Sequence, residues 1–74
     1  MPSPFVWVYD DPARGAALLR GAPTEQLLRA AHLEDLARWS HGGHGWVISR
    51  VHLPDLLAAG DLTGIRCRFK AVTS

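Results

Sequence analysis

Two groups of residues in this 74-residue chain combine type and spacing in a way that points to chemistry: the cations Arg66, Arg68 and Lys70, and the imidazoles of His41-Gly42-Gly43-His44. Cations at every second position project from one side of an extended strand at intervals of ~6.5–7 Å, a spacing that tracks a phosphate backbone or an acidic protein surface. The same charges on an edge strand also discourage edge-to-edge aggregation. The imidazoles lie on a glycine turn between Trp39 and Trp46, with Arg38 and Arg50 outside them. A tip of this composition can reach nucleic-acid phosphates and stack on exposed bases. Trp39 and Trp46 suit a core or a cross-strand pair equally well.

Metal and catalytic chemistry find less support. Cys67 is the only thiol, so no Cys-x-x-Cys is present, and the histidine spacings repeat no structural zinc pattern. A metal site would need His41 and His44 to converge with His32, His52 or Cys67. Cys67 falls on the apolar phase of its strand, where a thiol is ordinarily inert packing. Asp10-Asp11 suits a helix cap better than a carboxylate pair, and Gly42-Gly43 lacks the lysine and the strand-to-helix setting of a phosphate loop. The expectation is a non-enzymatic protein without metal or cofactor.

Length allows a single domain over residues 1–74, near the lower limit for one unaided core, so a partner chain or a homodimer is a natural source of extra stability. With 47% apolar and 20% charged residues the composition is that of a folded globule. One cysteine excludes an intrachain disulfide. Met1-Pro2-Ser3-Pro4 has neither the basic nor the apolar stretch of a leader, and no apolar run is long enough to span a bilayer, so the expected setting is cytoplasmic without a membrane partner. Arginine outnumbers lysine seven to one, a bias that a GC-rich coding sequence also produces. Net charge is only +1, but residues 1–37 hold three arginines against five carboxylates, whereas residues 38–74 hold five cations against two. The acidic half reads as scaffold and the basic half as the working surface.

The elements that must position these residues follow from pattern. Residues 5–9, Phe-Val-Trp-Val-Tyr, predict a strand either buried on both faces or aromatic on one. Asp11-Pro12 predicts the cap and first position of a short helix running through Arg20 and ended by Gly21. Pro23-Thr24-Glu25 opens a second helix with Leu27, Leu28 and Ala31, extending to Leu33 and Leu36, as its apolar stripe. Ser40 to Gly45 predicts a hairpin whose glycines supply positive φ. Leu53 to Gly60 predicts a helix with Pro54 near its start and Gly60 as its terminator. Within residues 65–72 the chain alternates strictly for seven residues, placing Ile65, Cys67, Phe69 and Ala71 on a dry face and Arg66, Arg68 and Lys70 on a basic one. The order β-α-α-β-β-α-β predicts an α+β fold, a small mainly antiparallel sheet with helices on one face, with residues 1–4 and 73–74 as loose ends.

Residues 37–59, through Trp39, Trp46 and the leucines of the following helix, resemble the ββα unit of annealing-helicase accessory (HARP-type) domains. They also resemble small proteins of actinobacteria and their phages. The resemblance implies a nucleic-acid-binding accessory role, although the turn here carries glycine and histidine where that pattern has acidic and lysine residues. The sequence thus leads to a small nucleic-acid-binding accessory or regulatory module, binding through Arg38, His41, His44, Arg50, Arg66, Arg68 and Lys70. The rival is a protein-interaction module, a phage- or plasmid-type regulator or inhibitor. It docks an acidic partner or dimerises through Trp7, Tyr9, Trp39 or Trp46, and its mark is an exposed aromatic patch.

Overall fold

The computed structural model describes residues 4–71. Its elements run β1 (Phe5–Asp11), β2 (Ala16–Arg20), α1 (Thr24–Ala30), β3 (Arg38–Ser40), β4 (Gly45–Ser49), α2 (Leu53–Thr63) and β5 (Arg66–Ala71). The five strands form one sheet in the order β3-β4-β2-β1-β5, antiparallel throughout except for the parallel pair β1 and β5. This is an α+β fold with a small, mainly antiparallel sheet. No helix among the described residues is long and apolar enough to cross a membrane. The expectation for residues 1–3 and 72–74 lies outside the described residues. Pro4, expected to be loose, accepts a hydrogen bond on its carbonyl from Arg66 N–H at 2.9 Å.

One element differs in kind from its sequence reading. The segment after Asp11 is a hairpin turn and a strand, where a helix was expected. Asp11 and Pro12 take the first two places of a turn closed by Arg14 N–H donating to the Asp11 carbonyl at 3.2 Å, and Gly15 leaves it at φ 66°. Asp-Pro opens such turns as readily as it opens helices, and the glycine in left-handed conformation is what commits the chain to turn back. Ala16-Ala17-Leu18-Leu19-Arg20 favours a helix by propensity, yet it becomes a central strand because Ala17 and Leu19 are almost wholly buried between two partners.

Two helix ends also move. α1 stops at Ala30 because His32, at φ 58°, takes the left-handed position that usually falls to glycine. His32 N–H donates to the Arg29 carbonyl at 3.1 Å and Leu33 N–H to the Leu28 carbonyl at 2.8 Å, so the orphan carbonyls are met and Leu33 folds onto Leu28 in the core. Leu36, expected on the helical stripe, is therefore exposed. α2 passes through Gly60 and ends at Gly64, φ 76°. Gly60 serves proximity instead: a Cβ there would stand 2.6 Å from the Ile65 carbonyl, where the chain returns towards β5.

The register explains the core. Val6 and Val8 of β1, Ala17 and Leu19 of β2 and Ile48 of β4 share one side of the sheet. Against them pack Leu27 and Leu28 of α1, Leu33, Leu56 and Ala59 of α2, and Ile65, every one no more than 3% exposed. α1 and α2 also contact each other on this side. Among the described residues, the other side of the sheet carries no helix.

Candidate functional site

The helix-free side of the sheet is built by alternation. With Val6 and Val8 turned into the core, Phe5, Trp7 and Tyr9 of β1 face the opposite way, and the parallel pairing places Arg66 beside Phe5, Arg68 beside Trp7 and Lys70 beside Tyr9. Across the remaining strands, two rows cross this face: Arg38, Val47, Leu18, Tyr9 and Lys70 in one, and Ser40, Gly45, Arg20, Trp7 and Arg68 in the other. Arg38 and Lys70 stand four strand spacings apart, about 19 Å.

The cations lie on the rings. Arg68 is 4.7 Å from the Phe5 centroid and 5.8 Å from that of Trp7, Lys70 is 4.6 Å from Trp7, and Arg20 is 5.9 Å from Tyr9. Phe5 and Trp7 meet edge to face at 5.5 Å. Cation–π contacts at exposed positions are worth only ~0.5–1 kcal/mol each, less than the ~1–3 kcal/mol of a base stacked on the same ring. The register gives this face five cations, Arg20, Arg38, Arg66, Arg68 and Lys70, against one carboxylate, Asp11. That carboxylate lies 3.6 Å from the exposed Arg14.

The β3–β4 hairpin joins the same face. Ser40 Oγ accepts a hydrogen bond from Gly43 N–H at 3.1 Å, which folds the turn inwards. The expected use of its glycines is corrected: the positive φ falls on His44, at 52°, while glycine is needed for space. A Cβ on Gly43 would meet Leu18 Cδ2 at 2.9 Å, and one on Gly45 would collide with the Leu19 carbonyl. The turn thus presses onto the outer surface of β2 and walls an open groove of about 630 Å³, with Leu18 and Val47 in its floor and Tyr9, Arg20 and His44 at its sides.

The predicted site residues divide. Arg38, Arg66, Arg68 and Lys70 lie on the helix-free face, and His44 borders its groove. His41 is exposed beside Trp39, with ring centroids 6.5 Å apart. Arg50 is engaged elsewhere: its guanidinium donates to both Asp10 oxygens, at 2.6 and 3.1 Å, and Asp10 belongs by register to the helix-covered side. Trp39 and Trp46 form a cross-strand, edge-to-face pair at 5.4 Å on that side too, Trp39 remaining 48% exposed and Trp46 half-buried against the core. Phe5, Tyr9 and Arg20 have no place in the sequence-derived anion site. The alternation of rings with valines over residues 5–9 is the signal that finds the first two.

Two further expectations meet the geometry. Among the described residues no three of His, Cys, Asp and Glu gather closely enough to hold a metal ion. The dry face of β5 is dry only at its start, where α2 covers Ile65 and half-covers Cys67, whereas Phe69 on the same side is 48% exposed because β5 is an edge strand. Burial pushes the Cys67 thiol above its ordinary pKa and the nearby Asp61 carboxylate adds to the shift, so the thiol form is held. Compared with known proteins, the chain matches no family model, no curated protein and no solved structure.

Proposed function

We propose that this protein is a small nucleic-acid-binding accessory or regulatory module whose working surface is the helix-free side of its sheet. The observation that carries this reading is the grouping of Arg20, Arg66, Arg68 and Lys70 beside the rings of Phe5, Trp7 and Tyr9, with Arg38 farther along the same face, where the register places one carboxylate, Asp11. Phosphate contacts provide affinity and orientation, and the rings provide base contacts. The resemblance of residues 37–59 to a HARP-type ββα unit points in the same direction. No catalytic role is assigned to any residue.

The reading has a quantitative signature. Each cation that neutralises a phosphate releases counterions, so affinity for a single strand falls between about 50 and 200 mM salt by roughly twentyfold if the three cations of β5 are engaged and roughly a hundredfold if all five are. An anisotropy titration of labelled DNA and RNA, single- and double-stranded, measures this directly. Absence of binding to all four at the lower salt overturns the proposal.

A second reading, an acidic protein surface as partner, uses the same cations. It is favoured by the half-exposed Trp39 and Phe69, which supply aromatic contacts away from the basic face. Face-to-face association of two copies is opposed by the five cations that each would bring.

A further inference from the structure

We infer that β1 and β5 together form a ladder for single-stranded nucleic acid, one nucleotide to a rung, that discriminates against duplex. The inference rests on the nucleic-acid reading above and adds the class of strand to it.

The parallel register makes three rungs, each with a ring from β1 and a cation from β5: Phe5 with Arg66, Trp7 with Arg68, and Tyr9 with Lys70. Within a rung the two strands are ~4.8 Å apart, and successive rungs are ~6.5–7 Å apart. Bases in a duplex strand follow one another at ~3.4 Å. The Phe5 and Trp7 ring centroids stand 5.5 Å apart with their planes at 90°, so bases seated on these two rings lie farther apart than in a duplex and in crossed planes, and can no longer stack on one another. A duplex, whose base faces are covered by their neighbours, has only its terminal pair to offer such rings. A single strand has every base face free. Its backbone then runs along β5, at the edge of the sheet, where no further strand lies among the described residues.

Rings and cations contact base faces and phosphates and leave the sugar unread, so DNA and RNA strands bind alike. The phosphate is also what removes each cation from its ring. Arg68 and Lys70 lie over Phe5 and Trp7 in the free protein, and a strand that draws them outwards uncovers the rings as its bases arrive.

The test is a titration of the full chain with fluorescein-labelled oligothymidylate, oligouridylate and a mixed-sequence duplex of equal length, at about 50 mM salt. Both single strands are expected to bind at least about tenfold more tightly than the duplex. Trp7→Leu keeps bulk but removes the π face, and is expected to weaken single-strand binding about ten- to a hundredfold without changing duplex binding. Trp7→Phe restores most of the loss, which separates stacking from a folding defect. Equal affinity for duplex and single strands, or full single-strand affinity in Trp7→Leu, overturns the ladder while leaving the nucleic-acid reading intact. No binding of any probe overturns both.

Discussion

The two sides of the sheet are made by the same strands and treat side chains in opposite ways. On the helix-covered side β1 contributes Val6 and Val8, and both are fully buried. On the other side the alternate positions are Phe5, Trp7 and Tyr9, all partly open to solvent and two of them overlaid by Arg68 or Lys70. Branched aliphatics fill an interior because their shape and lack of polar atoms suit close packing. Rings with a wet edge and a cation over the face suit a surface that stands without a helix over it. Both α-helices among the described residues lie on one side.

The largest difference between the sides is expected in stability. Leu19→Ala opens a cavity in the covered side and costs ~2–5 kcal/mol, comparable with the ~3–5 kcal/mol that a core of this size retains, so the variant is largely unfolded by circular dichroism. Leu18→Ala, one residue away on the bare side, costs less than about 1 kcal/mol by urea titration. Equal costs at the two positions break the comparison, because they mean that the bare side is covered in solution. Next in size is the hairpin. Gly45→Ala forces a Cβ into the Leu19 carbonyl and costs ~1–3 kcal/mol, whereas Gly42→Ala has open space around it and changes stability by under ~0.5 kcal/mol.

Smaller effects sharpen the covered side. The Cys67 thiol is held above its ordinary pKa when folded, so as pH rises through the ordinary thiol range the unfolded chain loses its proton first and stability falls. Native Cys67 is therefore alkylated by iodoacetamide more slowly than in urea at the same pH, and equal rates contradict its burial. The smallest change is His32→Gly, which relieves a left-handed backbone in the α1 cap but loosens the unfolded chain. A net gain of a few tenths of a kcal/mol in thermal unfolding is expected.

The bare side was only partly legible in the sequence, and the reason is the same at each point. In residues 65–70 polar and apolar types alternate, so the basic face of β5 declares itself. In residues 5–9 both phases are apolar, so hydropathy carries no period of two, and only the alternation of rings with valines marks which residues stay outside. Arg20 was hidden because Asp-Pro followed by Ala and Leu satisfies the rules of a helix start, and its place in a central strand is decided by partners far along the chain. Arg50 looked free because Asp10, forty residues earlier, is its partner only once β4 and β1 are brought into one sheet. The hairpin was located by its glycines, but their purpose, clearance over Leu18 and the Leu19 carbonyl, belongs to the packed state.

The three tryptophans divide between the two sides, Trp7 on the bare side and Trp39 with Trp46 on the other, so they report which side is used. The most direct measurement follows their indole N–H signals and the backbone amides by two-dimensional NMR while oligothymidylate is added to the labelled protein. The account predicts shifts at the Trp7 indole and along Phe5–Tyr9 and Arg66–Lys70, with α1 and α2 unmoved. Shifts confined to Trp39, Trp46 or the helices contradict it.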